Sequence, residues 1–133
     1  MIAVDTCILV RYAIRDDLIQ ARTATEFLKS NNCFIYKTVL LEFCWVLSSA
    51  SGYNLSRPVV AERMRHICGL PTISVEDASN SALAIGLFEK GMDFGDALHL
   101  TSSSSFSGFA TFDKKLSTKA SKLLPGQQVK LLK

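Results

Sequence analysis

The sequence has no stretch that could span a bilayer. Its longest apolar run, near "TVLLEFCWVL", is too short and holds a glutamate. No pair among Cys7, Cys33, Cys44 and Cys68 has CxxC spacing, which argues against a zinc site. The cysteines sit in apolar company ("TCILV", "NCFIY", "EFCWVL", "HICGL"), the setting of buried, reduced thiols. The opening "MIAVDTCILVRY" lacks a basic n-region, and an aspartate interrupts it, so it does not read as a signal peptide. There is no long single-sign charge block, no internal repeat and no linker, which excludes disordered and fibrous classes. What remains is 133 residues, 48% hydrophobic, with a mild net charge of +3 that permits an anionic partner without demanding one. These features predict a soluble cytoplasmic protein with a single domain over residues 1–133.

Short apolar runs alternate with longer periodic ones. "MIAV", "CFIY", "TISV", "GFATF" and "QVKLL" read as strands, the first two as buried ones. Between them, "TCILVRYAI", "DDLIQARTATEFLKS", "TVLLEFCWVLSSA", "SRPVVAERMRHIC", "EDASNSALAIGLFEKG" and "DALHLTSSS" have helical spacing. Asp16 and Asp17 are placed to start the second helix, and Pro58 suits a first turn. "DKKLSTKASKLL" reads as a helix or turn, and the serines of "TSSSS" as a fraying helix end. Strands alternating with helices indicate an α/β fold: a parallel sheet covered on both faces, with sites outside the carboxyl ends of its strands.

Most acids have ordinary explanations as helix caps, first-turn acids or parts of a solvated face. Four adjoin or interrupt apolar runs instead. Asp5 ends "MIAV", Glu42 interrupts "TVLLEFCWVL", Asp96 opens "ALHL" and Asp113 ends "GFATF". Glu42 has apolar neighbours on nearly every side in sequence and no obvious basic partner. Either it falls on a narrow solvent stripe, or it is paired or bound to a cation. Asp5 and Asp113 could converge at the carboxyl ends of parallel strands, or each could simply cap the next helix. Asp93 and Asp96 resemble a capping box, yet residues three apart on a helix lie within roughly 60° of each other. Asp93 could then brace the turn while Asp96 points into a site. Four gathered carboxylates repel one another, and a divalent cation with hard oxygen ligands, Mg²⁺ or Mn²⁺, resolves the repulsion. Their gathering is an inference from fold class.

The blocks "MIAVDTCILVRYAIRDD", "TVLLEFCWVL", "DFGDALHL" and "FATFDKKL" resemble, in order and over nearly the whole chain, the PIN-domain ribonucleases, specifically the VapC-type toxins of toxin–antitoxin pairs. The resemblance implies a PIN-like three-layer sandwich, a central parallel sheet flanked by helices. It implies RNA cleavage with Mg²⁺ or Mn²⁺, with Asp5, Glu42, Asp96 and Asp113 as the catalytic and metal-binding acids. Thr6 and Thr111 match small hydroxyl positions beside the site, and Asp93 matches an often acidic position. It further implies a homodimer, a small antitoxin partner and a transfer RNA substrate. Cys7 departs from the family's usual asparagine or serine, and "TSSSS" replaces a more apolar helix.

Arg11, Arg15, Lys114 and Lys115 lie near the acid blocks and are candidate RNA contacts. His99 follows Asp96 by three and is read as packing locally rather than as a base. His66 is given no role, and Phe43 and Trp45 are expected in the core or a dimer contact. Two other classes stay open: an aspartyl-nucleophile phosphatase, which usually wants an acid where Cys7 stands, and a non-catalytic binding module. Four retained acids speak against the second.

Overall fold

The computed structural model describes residues 1–133. The chain divides into two compact units, Met1–Ala78 and Ser79–Lys133. In the first unit β1 (Ile2–Ala3) leads through α1 (Thr6–Ile14) and α2 (Leu18–Ser30) to β2 (Cys33–Ile35). It continues through α3 (Lys37–Ser48) and α4 (Arg57–Cys68) to β3 (Ile73–Val75). The three strands pair in parallel in the order β1-β2-β3, with Ile2 opposite Cys33 and Phe34 opposite Ser74. Each parallel neighbour requires a crossover, here a pair of helices. In the second unit α5 (Ala78–Glu89) and α6 (Phe94–Ser102) precede β4 (Phe109–Thr111), α7 (Lys114–Leu123) and β5 (Val129–Leu131). β4 and β5 pair in parallel, with Phe109 opposite Val129.

The α/β class with parallel strands and flanking helices is as expected, although the strands form sheets of three and two. Apolar spacing explains the helices. In α3, Leu40, Phe43, Cys44 and Leu47 are buried at the intervals of one helical face. They belong to the first unit's core with Leu9, Leu28, Ile35, Met64 and Ile67. The second unit buries Ile85, Leu87, Phe88, Phe94 and Leu100, with Phe88 and Phe94 packed edge to face at 5.8 Å. α7 buries only Leu116 and Ala120, an i, i+4 stripe that suits a surface helix and resolves "DKKLSTKASKLL" as helical. No helix is long and apolar enough to cross a membrane.

Two expectations need correction, and one alternative is narrowed. β1 is exposed rather than buried, because it is the edge strand of its sheet; Val4, just after it, is the residue that enters the core. Cys7 is exposed, while Cys33 and Cys44 are buried and Cys68 is half-buried. Burial pushes the Cys68 thiol up to about 11 and the Cys33 thiol upward as well. Trp45 is 61% exposed, because it lies on α3's solvent side while Phe43 takes the core position.

Candidate active site

Each strand-ending acid is fixed by the helix that follows it. Asp5 is the N-cap of α1, its Oδ1 accepting the Thr6 N–H at 2.7 Å. Asp113 caps α7, Oδ1 accepting the Leu116 N–H at 3.1 Å, while the Thr111 hydroxyl oxygen accepts the Asp113 N–H at 3.0 Å. Asp93 caps α6, with Oδ2 accepting the Asp96 N–H at 3.0 Å. The turn that delivers Asp93 relies on Gly91, at φ +113° in the left-handed region. Capping therefore accounts for three of the acids, and each cap engages only one oxygen of its carboxylate.

In the first unit Asp5 and Glu42 line one cleft of about 290 Å³, with Thr6, Cys7, Arg11 and Tyr53. Glu42 is exposed into this cleft, so it occupies the solvent stripe of α3 and bears no burial penalty. The nearest lysine in sequence is engaged elsewhere, since Lys37 pairs with Asp77 at 2.7 Å. The α3 N-terminus, which has no side-chain cap of its own, is closed by Glu76, whose Oε1 accepts the Lys37 N–H at 2.9 Å.

Arg11 is the cation in the cleft. Its guanidinium donates to Asp16 at 3.0 Å, and the other Asp16 oxygen accepts the Tyr53 hydroxyl at 2.9 Å. The Tyr53 hydrogen bond, with Arg11 assisting, holds the Asp16 carboxyl below its usual range. The same bond pushes the Tyr53 phenol upward. This tether was not legible in the sequence: Asp16 read as a helix starter, and Tyr53 lies 37 residues away.

In the second unit Asp96 is half-buried, and no group donates a hydrogen bond to its carboxylate. Burial raises its pKa, and the negative charges of Asp93 and then Asp113 push in the same direction; His99 and Lys119 oppose them. Asp93 and Asp113 thus both act electrostatically on Asp96. Neither unit, however, gathers three or more His, Cys, Asp or Glu side chains at metal-holding range. Among the candidate RNA contacts, Arg11 lies in the cleft with Asp5, while Arg15 lines a different cavity. Lys114 and Lys115 open α7 directly after Asp113 and are exposed.

The donors fit a hard divalent cation. Carboxylate oxygens dominate, and the Thr6 hydroxyl, buried in the cleft wall, has no hydrogen-bond partner. The one soft donor, Cys7 Sγ, lies 4.0 Å from Asp5 Oδ2, where it makes at most a weak contact.

Residues 2–122 match the PIN domain family, and the chain belongs to it. No curated protein and no solved structure matches the chain. PIN domains are generally metal-dependent nucleases, so membership supports a nuclease-type hydrolase that acts on nucleic acid with divalent metal.

Proposed function

We propose that this chain is a Mg²⁺- or Mn²⁺-dependent endoribonuclease, the toxin of a VapC-type toxin–antitoxin pair. One observation carries the reading most: Asp96 sits half-buried, without a hydrogen-bond donor, and against the charges of Asp93 and Asp113. A lone carboxylate gains nothing from that setting; one that shares a cation does. The family match runs from one compact unit into the other without a break, which supports treating residues 1–133 as one functional domain.

In this reading Asp5, Asp96 and Asp113 hold the cation, and Glu42 completes the set or orients the attacking water. The cation, when bound, supplies Lewis acidity that activates water and steadies the leaving oxygen of a phosphodiester. Thr6 and Thr111 brace the acids beside them, and Asp93 fixes the first turn that presents Asp96. Arg11, Arg15, Lys114 and Lys115 contact RNA phosphates. In-line attack leaves a 5′ phosphate and a 3′ hydroxyl. The solvent-facing Leu18, Ile19 and Trp45 offer apolar surface for a second copy and an antitoxin. A cytoplasmic location goes with this role.

Incubation with total transfer RNA in Mg²⁺ or Mn²⁺ tests the proposal. Cleavage that leaves 5′-phosphate ends and stops with chelator is the expected result. Cleavage that persists in chelator would exclude the mechanism.

A further inference from the structure

Positive charge collects at a second cavity of the first unit, about 330 Å³ in volume, formed by α1, α2 and α4. Arg15, Lys29 and Arg63 line it against one carboxylate, Glu62, a formal local charge of +2. Arg15 and Lys29 have no carboxylate within ion-pair range. Arg63 has only the exposed Glu62 at 4.0 Å, a pairing too loose to neutralise it.

Two features make this more than a charged patch. Arg15 is held in place: its backbone lies in the left-handed region at φ 59°, its N–H bonds to the Arg11 carbonyl at 3.3 Å, and its guanidinium donates to the Thr25 hydroxyl at 3.1 Å. Most of its donor fork stays available. Beside it Tyr12 and His66 stack nearly parallel, centroids 5.7 Å apart, joined by a 2.7 Å hydrogen bond between the Tyr12 hydroxyl and His66 Nε2. With the hydroxyl donating, the imidazole proton sits on Nδ1 and becomes a further donor for an anion.

We propose that this cavity binds one nucleotide of an RNA strand, its phosphate on Arg15, Lys29 and Arg63 and its base against the Tyr12–His66 pair. Guanidinium forks match phosphate oxygens, and an aromatic face accepts any base without reading sequence. Tyr12 lies about 9 Å along the α1 axis from Thr6 in the acidic cleft, so one strand can occupy both. The choice of RNA as ligand rests on the nuclease reading, but binding here needs neither metal nor cleavage.

The test is fluorescence anisotropy of a labelled single-stranded RNA in chelator, across a salt series. Lys29→Ala combined with Arg63→Ala should weaken binding about tenfold and flatten the salt slope by about 0.7, the share of the one phosphate the cavity holds on a single strand. His66→Ala should weaken binding with the slope unchanged. Lys122→Ala, which removes an exposed charge outside the cavity, should do neither. Arg63→Gln alone serves if the double variant fails to fold. Equal losses in the Lys122 and cavity variants would overturn the proposal, as would a mononucleotide that shifts the His66 imidazole resonances while RNA affinity is indifferent to these side chains. Loss of binding in the cavity variants of a protein that cleaves no RNA would sink the nuclease reading and leave this site standing.

Discussion

At the scale of the residue, the acids divide by what the fold asks of them. Asp5 both caps α1 and faces the cleft, and asparagine can replace it in the first role. Asp5→Asn should therefore melt within a degree or two of wild type and lose RNA cleavage, whereas Asp5→Ala should also lose about 1 kcal/mol of stability with its cap. Thermal melts beside a cleavage assay separate the two roles. Asp96 has the opposite character. Its folded pKa is raised, so the folded state holds the proton more tightly than the unfolded chain. From the usual value of 3.8 upward to the raised one, stability falls as pH rises, and the deficit persists at neutral pH. Asp96→Asn should accordingly raise the melting temperature at pH 7, with the gain vanishing in acid below pH 3.8, while abolishing cleavage. A variant that melts lower at pH 7 and higher in acid would reverse that account. The sequence identified Asp96 by its place before "ALHL". The source of its strain, Asp93 and Asp113 acting together, depends on a fold that brings position 113 near position 96.

At the scale of the element, the cleft depends on the loop between α3 and α4. Gly52 lies in that loop, and a Cβ built there would meet the Val46 carbonyl oxygen at 2.1 Å, a backbone atom that cannot swing aside. Gly52→Ala should cost about 1–3 kcal/mol by chemical denaturation. It should also loosen the Tyr53 tether to Asp16. Tyr53→Phe should release that tether with the loop intact, and the Asp16 carboxyl should then titrate closer to its usual range by NMR. The helices themselves were legible, because period and caps agree: α1 and "TCILVRYAI" coincide, and Asp17 does cap α2. Burial was less legible. A two-residue strand cannot announce that it lies at an edge, so "MIAV" looked buried. Trp45 read as core or dimer contact because its run is apolar on every side in sequence, and the helix turns it outward, away from the core. Glu42 belongs to that same outward stripe.

At the scale of the whole molecule, parallel pairing was legible from the alternation of strands and helices, whereas the division into sheets of three and two was not. Strand order is set by long-range pairing that no local run encodes. The four candidate acids stood out in the sequence by their apolar company, and each compact unit carries two of them: Asp5 and Glu42 in the first, Asp96 and Asp113 in the second. The charge tethers around them, Arg11 with Asp16 and Tyr53, were not, because their partners come from separate loops. The central claim is that the chain's candidate acids hold the divalent cation with which it cleaves RNA. Calorimetric titration of the full chain with Mn²⁺, compared with Asp5→Asn and with Asp96→Asn, tests it most directly. The account predicts Mn²⁺ binding that each substitution weakens sharply. Wild-type Mn²⁺ affinity in both variants would contradict it.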